Sequence, residues 1–317
     1  MLSECSSFLK GVMLGSTVFA LITVLGHVRL GRKNGMHHHK HHHLQAPKKE
    51  VLKISEAERL ELSNTFRVYC IILASTQNRH LLAAVKETWI KHCDKAEFFS
   101  SQPVQEFESI AVNASDSWLL MKKACLYALN KNKDQYNWFF IAYPNTFAVI
   151  ENLKYFLLRK DPSQPFYLGH TERFMSLEYV TMEGGIVFSI ESMKRLIRLI
   201  TKSRNCPKER KGFWNMHEEL LLAFCLSNEG VFAENAEDEE GKNLFNTKTI
   251  TMFIKEAITD YPNNVIEGFC SDMVITFSRL TPDQMHVMMY GVYRLRAFGH
   301  TFNDVLSFLP PNGSDND

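Results

Sequence analysis

Two stretches could carry chemistry. The first is Asn137 to Leu153, NWFFIAYPNTFAVIENL, where an apolar aromatic run, Trp138 to Ala142, leads into Tyr143-Pro144-Asn145-Thr146. A buried strand ending in a loop that feeds a helix is where α/β proteins build ligand sites. A metal-assisted phosphate or sugar site there needs carboxylates, and none lies between Asn137 and Val149. The second is the acidic pair Glu218-Glu219 ahead of the apolar run Leu220 to Leu226. Glu219 is a candidate general base, although acids in a first helical turn are favoured by the helix dipole whatever their function.

A third cluster of reactive side chains is His37, His38, His39, His41, His42 and His43. Six imidazoles close together can bind Zn²⁺ or Cu²⁺, but no scaffold orients these rings, so the metal affinity expected of them is adventitious. The acidic run Glu234 to Gly241 lacks the alternating oxygen spacing of a calcium loop. It reads as solvated.

The elements that must position these residues follow from periodicity. Arg67 to Ala74 is a β-branched-rich strand, and Glu97 to Phe99, Phe107 to Val112 and Trp138 to Ala142 are further strands. Leu81 to His92 and Ser117 to Asn130 carry apolar residues at helical spacing. Phe147, Ile150, Leu153 and Leu157 define another helical face. Short strands are expected at Phe166 to Gly169, Glu178 to Thr181, Ile186 to Ser189 and Val231 to Ala233. Helices are expected at Glu56 to Ser63, Glu191 to Thr201, Met216 to Asn228 and Thr281 to Ala297, the last with Pro282 in its first turn. This alternation predicts an α/β fold, a mostly parallel sheet with helices on both sides.

Composition narrows the function classes. The chain has 317 residues, 45% hydrophobic and 22% charged, with a formal charge of +1. Near-balanced charge without a basic stripe excludes a nucleic-acid partner. Residues 8–28 include the uncharged stretch Gly11 to Gly26, long enough for the ~30 Å hydrocarbon core. They read as a transmembrane signal anchor. The predicted organisation is a short tail (1–7), the anchor (8–28), a His-rich stem (29–54), a globular domain (55–309) and a disordered end (310–317). Arg29, Arg32 and Lys33 lean toward a cytoplasmic domain. Cysteine and sequon usage leans the other way. Cys70, Cys93, Cys125, Cys206, Cys225 and Cys270 permit a disulfide framework in an oxidising lumen, or are reduced and buried. Asn113 and Asn312 head N-glycosylation sequons.

Several segments together resemble the β1,3-galactosyltransferase superfamily: AAVKETWIKHCDKAEFF, NWFFIAYPNTFAVIENL, EGGIVFSIESMKRL, EELLLAFCL and GVYRLRAFGH. Within it they resemble the core 1 branch, and DPSQPFYLGH, VFAENAED and FLPPNGSDND resemble its chaperone-type members. The resemblance implies a GT-A-like, Rossmann-like glycosyltransferase fold, as one lumenal domain behind a type II anchor in the endoplasmic reticulum and Golgi membrane. It sets orientation against the flanking charges. Catalytic members carry three carboxylates at the strand end. Aligned on Trp138-Phe139-Phe140 and Glu151-Asn152-Leu153, that triad falls on Tyr143, Pro144 and Asn145.

The resemblance therefore implies a pseudoenzyme without cofactor or metal, with Glu219 as a vestigial base. Its partner would be core 1 β3-galactosyltransferase, a folding client, with self-association as a further option. The alternatives are an inert paralogue and a metal-independent transferase. The resemblance also implies disulfides Cys70–Cys93 and Cys206–Cys225. Cys270 and Cys125 are then each without an obvious partner, or paired with one another.

Overall fold

The computed structural model describes residues 66–75, 78–104, 107–131, 135–202, 206–207, 216–260 and 270–295. The anchor, the His-rich stem with its six histidines, the 56–63 helix, Asn312 and the 310–317 tail lie outside the described residues. Among the described residues no helix is long and apolar enough to cross a membrane.

Strand β1 (Val68–Ala74) is buried along its whole length, and so is β4 (Trp138–Ala142). Such continuous burial suits a parallel sheet covered on both faces. The two strands pair in parallel, and β1 pairs in parallel with β2 (Lys95–Ser100) on its other side. The seven-stranded sheet continues to β3 (Ile110–Ala111) at one edge. Beyond β4 it runs through β9 (Ile186–Ser189) and β6 (Tyr167–Gly169) to β10 (Ala233–Asn235). Strand β9 is antiparallel to both its neighbours, so the sheet is mixed, with a parallel majority.

The period of two sorts each strand between two cores. Tyr69, Ile71, Leu73, Phe139 and Ile141 face a core built with helices α2 (Ser117–Lys131), α4 (Ile190–Lys202) and α5 (Glu218–Ser227). Val68, Cys70, Ile72, Trp138 and Phe140 face the other, built with α1 (Arg79–Glu87), α3 (Ile150–Leu157) and α7 (Pro282–Tyr293). Helix α7 opens with Thr281 and Gln284 capping each other's backbone amides, and Pro282 sits in its first turn.

Several boundaries differ from the sequence reading, for local reasons. Phe147 belongs to no helix. Phe147–Ala148 forms β5, antiparallel to β12 (Thr276–Phe277), and helix α3 starts only at Ile150. Phe147 still points into the core, which is why its spacing imitates a helical face. The Leu81 to His92 helix is broken at Thr88 (ψ −115°), and Trp89–His92 is a separate 3-10 turn. The Phe107 to Val112 strand shrinks to two residues. Glu234 and Asn235 of the acidic run are in strand β10. The ribbon β7 (Thr171–Phe174) with β8 (Leu177–Val180), a 3-10 turn at Met182–Gly184, strand β11 (Phe245–Asn246) and helix α6 (Ile250–Asp260) complete the described elements.

Both disulfides implied by the resemblance are formed, Cys70–Cys93 and Cys206–Cys225. The first ties β1 to the end of the 3-10 turn before β2. Cys125 and Cys270 are free thiols, so the alternative pairing between them is not made.

Candidate functional site

Strand order reverses between β1 and β4: the chain leaves β1 for β2 on one side, and β4 returns on the other. Ligands of open α/β sheets bind outside the carboxyl ends of strands at such a point. A cavity of about 280 Å³ opens there. Leu73, Ala74 and Ser75 at the end of β1 line it together with Tyr143, Pro144 and Asn145 at the end of β4. Asn78, Leu81, Ser117 and Leu120 close it. Its lining is uncharged, with hydroxyls and amides as its polar groups.

The loop after β4 is fixed from three sides. Thr146 N–H donates to the Tyr143 carbonyl (3.1 Å), making a turn. Leu280 N–H donates to the Asn145 carbonyl (2.9 Å), and β5 pairs with β12 just beyond. The Tyr143 hydroxyl donates to Oε1 of Glu218. Burial pushes the Tyr143 phenol far up, and the nearby Glu218, Glu219 and Glu183 carboxylates add to that. The phenol therefore stays protonated and acts as a donor.

Glu218 and Glu219 open helix α5 and diverge. Glu218 is buried and takes the Tyr143 hydroxyl. Glu219 accepts from the Met182 N–H (3.1 Å). Burial raises its carboxyl above the usual range; the Met182 bond opposes this, while Glu218 and Glu172 reinforce it. A partly buried carboxyl that is raised in this way has the electrostatics of a general base, and equally of a carboxyl holding backbone in place.

The sequence reading misses Arg279. No Lys or Arg occurs between Asn137 and Val149, but the fold brings Arg279 to the loop from far along the chain. Its neighbour Leu280 holds Asn145, and its Nε donates to Glu183 (3.1 Å). Its backbone is left-handed (φ 57°), an unfavourable conformation for a residue with a Cβ. A half-exposed guanidinium can pair with phosphate. Nothing local in the sequence signals this, since the β5–β12 pairing that places it joins distant segments.

The residues at the strand end do not fit the divalent cation that the resemblance calls for in catalytic members. Hard cations take six or more oxygens, with carboxylates among them. Tyr143 is committed as a donor, and Pro144 offers no side-chain oxygen. The Asn145 Oδ1 is buried without a hydrogen-bond partner, a single neutral oxygen. Among the described residues no three His, Cys, Asp or Glu side chains are grouped to hold a metal. The loop after β4 thus lacks the donor set for such an ion.

Comparison with known proteins bears on the class. No protein-family profile matches the chain. It is 28% identical over 273 residues to a glycoprotein-N-acetylgalactosamine 3-beta-galactosyltransferase 1 of Xenopus laevis, covering 79% of this chain and 72% of that one. It is 24% identical over 155 residues to human beta-1,3-glucosyltransferase, covering 46% of this chain and 30% of the relative. Human chondroitin sulfate synthase 3 is 28% identical over 218 residues, covering 57% and 24%. A solved glycosyltransferase involved in glycosylation of the major capsid of PBCV-1 superposes with a TM-score of 0.41 at 11% identity, over 70% of this chain and 98% of that one.

The chain is thus homologous to β1,3-galactosyltransferases, a glycosyltransferase-like protein with a mixed α/β fold. This corrects the expectation that it is no enzyme. The relatives it resembles are named as transferases and a synthase, and transfer is the activity to which homology points.

Proposed function

We propose that the chain acts in glycoprotein β1,3-galactosylation, by binding the homologous core 1 β3-galactosyltransferase and assisting its folding. It would do so in the lumen of the endoplasmic reticulum and Golgi, with 8–28 as a type II anchor. This is the role of Cosmc, the dedicated chaperone of that enzyme, which the sequence resembles. The supporting observation is the loop after β4, where Tyr143-Pro144-Asn145 stands in place of a cation cradle and is tied to Glu218. A homologue offers its client matching strand edges and helix faces, and strand or helix addition is a physical route to recognition.

Assisting folding and transferring a sugar are separable activities, and a second reading is direct glycosyl transfer. It is favoured by the half-exposed Arg279, whose neighbour Leu280 bonds to Asn145, since a guanidinium can offset diphosphate charge. Glu219 would be its base. The test is co-expression with core 1 β3-galactosyltransferase in cells lacking its chaperone. Client activity should rise; unchanged activity refutes the folding role. In parallel, the purified lumenal chain is given UDP-galactose and an N-acetylgalactosaminyl peptide. Product that disappears in Arg279→Ala and Glu219→Gln would establish the second reading.

A further inference from the structure

Strand β3 is the last strand of the seven-stranded sheet, and it is short and apolar. It pairs with β2 through Phe99–Ile110 and Ser100–Ala111. One further bond, Val112 N–H to the Ser100 carbonyl (2.9 Å), extends the ladder. Among the described residues no strand pairs with the outer side of Ile110–Ala111, an edge of the kind through which sheets pair with other chains.

The chain turns away at Asn113. Its φ of 48° is left-handed, a conformation asparagine tolerates better than most residues. Lys123 clamps the turn, donating to the carbonyls of Val112 (2.9 Å) and Asn113 (2.7 Å). That clamp holds the backbone of Asn113, while the residue itself is exposed. Asn113 begins Asn-Ala-Ser, and Ser115 is also exposed. Asp116 then starts helix α2, accepting from Leu119 N–H (2.9 Å) and, at its other oxygen, from the Ser115 hydroxyl (3.1 Å). The sequon thus lies on a solvent-facing turn between two elements, with room for a large group and without disturbing either.

We propose that Asn113 carries an N-linked glycan that caps the open edge of the sheet. The inference rests on the lumenal placement in the proposed function. In the reaction the Asn113 side-chain nitrogen bonds to C1 of a lipid-linked oligosaccharyl diphosphate. The C1–oxygen bond breaks, the lipid diphosphate leaves with the electron pair, and the nitrogen gives up one proton. The glycan emerges one residue beyond the last ladder bond. Being bulky and hydrated, it bars an incoming strand from Ile110 to Val112. Strands β1 to β4 lie in parallel, so Asn113 leaves the sheet at the same end as Tyr143.

The test uses the full chain expressed in mammalian cells. Microsomal protease protection reads lumenal placement, and mobility before and after peptide-N-glycosidase reads the glycan. A glycan-sized step should be lost in Asn113→Gln and in Ser115→Ala, and kept in Ser115→Thr and Asn312→Gln. Size-exclusion chromatography should show larger assemblies for the two variants lacking the step. A protected chain whose mobility is the same in wild type, Asn113→Gln and Ser115→Ala overturns the glycan while leaving lumenal placement intact. An unprotected chain overturns the placement, and the glycan with it. Loss of the step without a change in assembly size in either variant overturns the capping role.

Discussion

The ammonium of Lys154 lies 2.8 Å from Oδ1 of Asp94, and both side chains are almost completely buried. The other Asp94 oxygen accepts from the Val68 N–H (2.6 Å). One carboxylate therefore joins helix α3, the turn after Cys93 and the start of β1. In Asp94→Asn a buried ammonium faces a neutral amide, and removing one partner of a buried pair costs about 3–5 kcal/mol. Urea unfolding should register that loss. Replacing both residues, as Asp94→Asn with Lys154→Met, should recover part of it.

Helix α7 is held to the body by two titrating contacts of opposite sign. Glu151 accepts from Tyr293 (2.6 Å) and contacts His92 Nδ1 (2.6 Å), and the His92 and Tyr293 rings stack at 4.2 Å. Burial pushes the Glu151 carboxyl up, but the bonds from His92 and Tyr293 outweigh it and hold it below its ordinary 4.5. A lowered carboxyl stabilises the fold above its unfolded value, and that contribution is lost as pH falls through the folded one. His286 bonds to the Pro282 carbonyl and to Glu87, and both bonds raise it above 6.5. Its contribution is complete below 6.5 and is lost as pH rises through the raised value. Protection of the α7 amides, relative to intrinsic exchange at each pH, should be greatest between these limits and fall on either side. Glu87→Gln should diminish the alkaline loss of protection and leave the acid one.

Tyr143→Phe removes the donor that Glu218 receives from the strand-end loop. A hydrogen bond to a charged group contributes about 1.5–3 kcal/mol, so a loss in that range is expected in urea unfolding. A double-mutant cycle with Glu218→Gln should return most of it as coupling between the two residues.

Glu219→Gln should behave differently. Because the folded state raises this carboxyl, its charge costs stability above its ordinary 4.5, and the cost fades as pH falls through the raised value. The amide oxygen of glutamine can still accept from Met182. Unfolding free energy at neutral pH should hold steady or rise, and the difference from wild type should shrink in acid. A large loss at neutral pH would mean that the charge itself holds the backbone.

The Cys70–Cys93 and Cys206–Cys225 disulfides close loops of similar length, 23 and 19 residues apart in sequence. Chain-entropy arguments give each about 3 kcal/mol. Cys93→Ala and Cys206→Ala should therefore lower stability by similar amounts, measured by denaturation under oxidising conditions.

Legibility in the sequence follows the range of the interaction responsible. Val68 to Ala74 and Trp138 to Ala142 read as strands because each is a continuous apolar run, and both are buried throughout. Ser117 and Pro282 begin helices where composition places them. Phe147 misleads, because a core-facing residue just before a helix keeps helical spacing whatever its backbone does. At the candidate site, Tyr143, Pro144 and Asn145 are legible together, since they are consecutive. The bond from Tyr143 to Glu218 and the approach of Arg279 are not, because they join segments far apart in sequence. The ribbon Thr171–Phe174 with Leu177–Val180 is only half legible, its exposed first strand lacking an apolar signal.

The pairing of β5 with β12 has a consequence for biosynthesis. Phe147 and Ala148 emerge from the ribosome well before Thr276 and Phe277, which complete their small sheet. Until those later residues appear, the loop that ends at Thr146 lacks its backing, and Leu280 cannot hold Asn145. The crevice at the end of β4 is therefore among the last features to take shape during translation. A nascent chain stalled before residue 276 would present the large sheet with an unfinished mouth.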